Sequence, residues 1–184
     1  MNVLADTLTA LRCVLVLSIL YTGVVWGPAE GLATVALLTI LAWVTDVLDG
    51  PLARRARRPT RLGRCDLVAD LGLTLALATC LVAWRVVPFL PVVCGLALAG
   101  LGVRVFHAMA PLQLAMGTVY GTFILATWHV APEWGRALVG GVGLLVLLNP
   151  RRAWQQVTGF LDQAAAILGH APPEVARARA KEGR

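Results

Sequence analysis

At 184 residues, 58% of them hydrophobic and only 14% charged, the chain falls well short of the roughly one quarter of charged residues found in soluble domains. That excludes an ordinary water-soluble fold, and the length leaves room for one domain rather than two. The net charge of +6 sits in clusters beside apolar runs with no interleaved aromatics, so it reads as membrane topology and anion binding, not as a nucleic-acid surface.

Six apolar segments of about 20 residues, the length that crosses a bilayer core, follow one another along the chain. They lie at roughly 9–26, 31–50, 66–86, 89–110, 113–131 and 135–149. Gly27-Pro28, an arginine-rich loop, Pro88, Pro111, Pro132 and Pro150 mark the breaks, because proline removes a backbone donor and interrupts a helix. Trp26, Trp84, Trp128, Trp134 and Trp154 fall near the expected span ends, as an aromatic belt does. The first segment carries Asp6 and Arg12 and has no small-residue cleavage site, so it is expected to be a retained helix and not a signal peptide.

Orientation follows from charge. Arg54, Arg55, Arg57, Arg58, Arg61 and Arg64 follow the second segment, and Arg151 and Arg152 follow the sixth. With six spans both groups lie on one side, which the positive-inside rule makes cytoplasmic, against lone exceptions at Arg85 and Arg136. Both termini are then cytoplasmic. Beyond Pro150, apolar residues at Trp154, Val157, Phe160, Leu161, Ala164 and Leu168 recur at helical spacing in a segment too short and polar to span. This predicts an amphipathic helix on the membrane surface, followed from Pro172 by a polar Ala/Arg-rich tail.

Cys13, Cys80 and Cys94 lie inside apolar runs and no CxxC pair occurs, so they are expected to be small core residues. The three histidines form no zinc-binding pattern; His129 and His170 are expected at the surface, and Tyr120 in packing.

The chemistry is concentrated in four aspartates: Asp46 and Asp49 at the end of the second segment, Asp66 and Asp70 at the start of the third. The chain has ten acidic residues in all, so four within 25 positions is a strong clustering. On a helix, residues three apart lie about 60° apart around the axis and residues four apart about 40°. Each pair therefore shares a helix face, and the loop between them lets the two pairs converge. Acids at membrane depth are expensive and mark function. Four carboxylates need cations, and an all-oxygen donor set suits Mg²⁺ or Mn²⁺, whereas zinc brings His or Cys. Beside a basic loop, such a site suits phosphoryl-type transfer, with one carboxylate taking a proton from an acceptor hydroxyl. Gly50 lets backbone approach a phosphate, and Arg54 can clamp one bidentately.

The pattern Asp46-x2-Asp49-Gly50-x2-Ala53-Arg54, eight residues, Gly63, then Asp66-x3-Asp70 resembles the signature of the CDP-alcohol phosphatidyltransferases. The segment Asp6-Thr7-Leu8-Thr9-Ala10-Leu11-Arg12 resembles a second stretch of that family, one that borders the nucleotide. The resemblance covers about residues 5–150 and implies an all-α integral membrane domain over 1–150 with six transmembrane helices, then the surface helix and tail over 151–184. It implies transfer of a phosphatidyl group from CDP-diacylglycerol to a small polar alcohol with release of CMP, in phospholipid biosynthesis. Members acting on glycerol 3-phosphate are the most similar, and inositol phosphate is the next acceptor. By position, Asp46, Asp49, Asp66 and Asp70 would hold two Mg²⁺ or Mn²⁺ ions, with Asp70 also the base. Asp6, Thr9, Gly50, Ala53, Arg54 and Thr60 would hold the CDP-lipid.

The sequence departs from the family in having two residues, Arg64 and Cys65, between Gly63 and Asp66 where three are usual, and Leu71 where many members carry lysine. Arg104 and His107, one turn apart near the cytoplasmic end of the fourth segment, are candidates to hold an acceptor phosphate. The expected partners are the two substrates and the bilayer of the cell membrane; a homodimer is allowed, and nucleic acid is not expected. The other reading is a non-enzymatic divalent-cation-binding membrane protein or an inactive family member. A carrier needs a polar path through the bilayer, and no charged residue occurs between positions 113 and 131.

Overall fold

In a computed structural model the chain forms α1 (Asn2–Val25), α2 (Gly27–Arg55), α3 (Asp66–Ala83), α4 (Phe89–Phe106), α5 (Ala110–Val130), α6 (Pro132–Leu148) and α7 (Pro150–Ile167). The structure describes residues 2–55 and 66–169, with the side chains of 7–47, 67–151 and 153–169. Prolines open these helices instead of ending them. Pro132 and Pro150 are first residues, Pro28 and Pro111 second, and Pro88 caps α4. The first turn of a helix has no intrahelical partner for its N–H groups, so proline loses nothing there.

For that reason the fourth span ends earlier than expected. The break comes not at Pro111 but at His107, which takes a left-handed conformation (φ 50°) after Phe106, and α5 starts at Ala110. The third span likewise stops at Ala83, in a turn where Arg85 has φ 58°. Between α1 and α2, Gly27 at φ +67° makes the reversal that a side chain would resist. Hydropathy marks only the apolar length, whereas α2 runs on helically through Gly50 to Arg55.

Among the described residues three helices contain stretches long and apolar enough to cross a bilayer: Thr7–Val25, Gly27–Val47 and Phe89–Phe106. Leu67–Ala83 is a shorter apolar helix. α5 and α6 fall outside that set. Gln113, three threonines and His129 dilute α5, while α6 has 17 residues that include Glu133, Arg136 and four glycines.

Helix α1 lies against α2 and α3, and α5 against α4, α6 and α3. The core is built where they meet, from Leu15, Ile19, Val35, Ala36, Leu73, Leu77, Cys80, Leu81, Phe123 and Leu138. Small residues such as Ala36, Ala42 and Ala76 let backbones approach closely, as in membrane bundles. Of the three cysteines expected in the core only Cys80 is there; Cys13 and Cys94 are exposed on the outer faces of α1 and α4. Apolarity all round a helix hides which face is inward, so composition alone did not separate them. The outside stays apolar: Leu98 and Leu147 are 66% and 78% exposed, and Ala99 is the one buried residue of α4. Such a surface belongs in lipid.

Long-range pairings set the α1–α3 register, among them the Cys80 thiol to the Ile19 carbonyl at 3.7 Å. The Trp84 indole Nε1–H donates to the Gly23 carbonyl at 2.7 Å, and Arg12 reaches Asp70 eleven residues earlier on α1. Both steps run in the same direction along the chain, so the helices are parallel. Trp84 is thus half-buried and also rests on Phe123 (6.3 Å), so it is more than a belt residue.

Helices α5 and α6 touch at Gly135, where an added Cβ would lie 2.5 Å from the Trp128 Cα and 2.9 Å from its N. Backbone cannot yield as a flexible side chain can. Gly135→Ala is therefore expected to lower stability by about 1–3 kcal/mol, the usual cost of overpacking. Thermal unfolding in detergent reads this, and an unchanged midpoint would show that the two helices part at no cost.

Candidate active site

Arg12 stands in the middle of α1 with its side chain wholly buried. A guanidinium cannot be stripped of water without partners, and among the described residues Asp46 and Asp70 serve as such. Its Nη2 pairs with Asp46 Oδ1 at 3.0 Å and its Nη1 with Asp70 Oδ1 at 3.3 Å. Asp46 comes from α2 and Asp70 from α3, so one planar fork joins three helices. The carboxylates are not sealed in with it: their side chains remain 28% and 36% accessible. The arginine lies on the inner side and the carboxylates face outward. Thr9, one turn before Arg12, is also buried.

Behind Asp70 the backbone is braced. The Thr74 hydroxyl donates to the Asp70 carbonyl at 2.9 Å, and the Tyr120 hydroxyl donates to Thr74 Oγ1, with the oxygens 3.1 Å apart. The Tyr120 ring meets Trp43 edge-on at 5.9 Å. Trp43 is one turn before Asp46, so a single α5 side chain supports both acid-bearing helices. Tyr120 packs as expected, and its hydroxyl adds a link that packing alone does not require.

Asp46 opens onto a cavity of about 450 Å³. Trp43 and Val47 of α2, Tyr120 and Ile124 of α5, Leu145 of α6, Asn149, and Ala153 and Gln156 of α7 are among its lining residues. Arg104 and His107, both exposed, line a different cavity of about 560 Å³ with Val103, Ala108 and Met109. Its rim is held by α7: Gln163 Oε1 accepts the Met109 and Ala110 N–H groups at 2.9 and 3.0 Å, capping α5.

The structure thus brings together Asp46, Asp70 and Arg12, with Thr9 buried one turn away on α1, and it sets Arg104 and His107 in a separate cavity. Asp49, Gly50, Ala53 and Arg54 fall in the last turns of α2 and Asp66 opens α3, but their side chains, like that of Asp6, lie outside the described residues. Thr60 and the arginine-rich loop lie outside them altogether. Among the described residues no three of His, Cys, Asp and Glu form a metal-binding group. Arg12 was not among the candidate site residues from sequence. The available signal was a lone cation in an otherwise apolar span, which rarely lacks a partner.

The donor chemistry fits a divalent cation. Asp46 and Asp70 together outweigh Arg12, leaving the bridge with one net negative charge, and both offer oxygens, the ligands that hard cations take.

The sequence profile of the CDP-alcohol phosphatidyltransferase family matches residues 2–147. That stretch holds α1 to α6 nearly complete, including Arg12, Asp46 and Asp70. No curated protein and no solved structure matches the chain significantly.

Proposed function

The chain belongs to the CDP-alcohol phosphatidyltransferase family, enzymes that transfer a substituted phosphate group and generally use divalent cations. From that premise we propose that it moves the phosphatidyl group of CDP-diacylglycerol to a small polar alcohol, glycerol 3-phosphate first, and releases CMP. The observation that carries this reading is the joining of Asp46 and Asp70 by one buried arginine at the edge of an open cavity.

Asp46, Asp49, Asp66 and Asp70 would hold two Mg²⁺ or Mn²⁺ ions. When bound, such ions neutralise diphosphate oxygens and stabilise the departing CMP. Asp70 Oδ takes the proton of the acceptor hydroxyl, whose oxygen then attacks the lipid-side phosphorus. The bond from that phosphorus to the CMP oxygen breaks as the new ester forms. The Thr74–Tyr120 link holds the Asp70 turn against α5 while the proton moves, which is where positioning matters most. Asp6, Thr9, Gly50, Ala53, Arg54 and Thr60 would bind the CDP-lipid. The apolar exteriors of α1 to α6 support six spans, the arginines after the second and sixth spans would put the site and both ends on the cytoplasmic side of the cell membrane, and α7, whose Trp154, Val157 and Leu161 are exposed, would rest on the membrane surface.

The deciding assay offers purified protein labelled CDP-diacylglycerol and a panel of alcohols, with and without Mg²⁺. Metal-dependent CMP release with one alcohol is expected, and no release with any of them would reject the proposal. Arg104 and His107 would hold the acceptor phosphate, since arginine binds phosphate bidentately. Arg104→Ala is accordingly expected to raise the acceptor KM severalfold and leave the KM for CDP-lipid almost unchanged. Equal acceptor KM values in the two proteins would remove Arg104 from the site.

A further inference from the structure

Arg12 is the bulkiest fully buried side chain among the described residues, and it pairs with two of the carboxylates assigned above to the metals. Both contacts are made by Oδ1 atoms, and each uses a different nitrogen of the one fork. The bridge therefore serves two carboxylates, from α2 and α3, that otherwise repel across a medium of low dielectric. A metal ion arriving on the accessible side of the same carboxylates finds that charge already partly neutralised. We propose that Arg12 is a built-in counter-cation: it holds Asp46 and Asp70 together when no divalent ion is present, and it competes with the ions for their charge. It is a positioning residue that sets metal affinity. The inference rests on the metal-site reading above.

Its consequence runs against the intuition that removing a site residue weakens binding. Without the fixed positive charge, the acidic cluster attracts a divalent ion more strongly, while the metal-free protein loses what kept the acids paired. Linkage requires both effects together: if metal and arginine oppose each other, removing one must favour the other.

The test uses the full chain in detergent, stripped of metal and titrated with Mn²⁺ followed by electron paramagnetic resonance. Arg12→Gln is expected to bind Mn²⁺ more tightly than wild type, by about 5- to 150-fold, the usual span of coupling between two sites. Its melting temperature is expected to be lower than wild type in chelator, with the gap narrowing in saturating Mn²⁺. Unchanged or weaker Mn²⁺ binding, or an equal gap in both conditions, would make Arg12 a plain structural strut and overturn the inference. Should Arg12→Gln not fold, ¹⁵N-arginine spectra of the wild type decide instead, with the Arg12 resonances identified by their loss in Arg12→Lys. Saturating Mg²⁺ is expected to shift them, and unmoved Arg12 resonances would equally overturn the inference. A wild type that binds no Mn²⁺ at all would bring down the metal-site reading and this inference with it. A wild type that binds, with Arg12→Gln no tighter, brings down the inference alone.

Discussion

Asp70→Asn is expected to abolish turnover while leaving the protein folded and able to bind CDP-lipid. An amide cannot accept the acceptor's proton, and removing a positioned base costs on the order of 10²–10⁴ in rate. The substitution is gentle on the architecture, because the asparagine carbonyl can still accept from Arg12 Nη1 where the carboxylate does at 3.3 Å. The Thr74 hydroxyl donates to the backbone carbonyl of residue 70, which the change does not touch. On the proposed reading three aspartates would remain to hold metal. Single-turnover rates, together with a melting curve and a CDP-lipid binding isotherm, separate lost chemistry from lost structure. Turnover near the wild-type rate would place the base elsewhere.

Complete chelation is expected to have an effect at least as large. On the proposed set of four aspartates, which offers oxygen ligands alone, activity should return with Mg²⁺ or Mn²⁺. The expected result is CMP release falling to background in excess chelator and recovering on adding back either ion. Full release in chelator would refute the metal assignment, while the helical architecture and the arginine bridge would stand.

These two outcomes differ in what they demand of the fold. Loss of the base is a local change on one helix. Loss of metal leaves Asp46 and Asp70 paired through the buried Arg12, so chelation should leave the contact among α1, α2 and α3 in place.

Much of this was legible in the sequence. An all-helical, lipid-facing chain follows from composition and from the length of the apolar runs, because hydrogen-bond satisfaction in lipid leaves few other choices. The aspartate spacing pointed to the junction of the second and third helices, where Asp46 and Asp70 do meet through Arg12. The family signature supplied the reaction class, and the match over residues 2–147 agrees with it. Helix ends were less legible. Proline marks a start as readily as a stop, so the break at His107 was displaced toward Pro111. Which cysteine is buried was illegible, because helices apolar on every side carry no moment to orient them.

Tertiary structure alone decided the rest. That Arg12 lies between Asp46 and Asp70, 34 and 58 residues away, depends on the parallel register of α1 and α3, set in turn by contacts such as Trp84 with Gly23. That Tyr120 supports Asp70 through Thr74, and that α7 contributes Gln156 to the cavity at Asp46 and Gln163 to the start of α5, are likewise matters of which faces meet. Local spacing determines what one helix presents; only the packing of several determines what it is presented to.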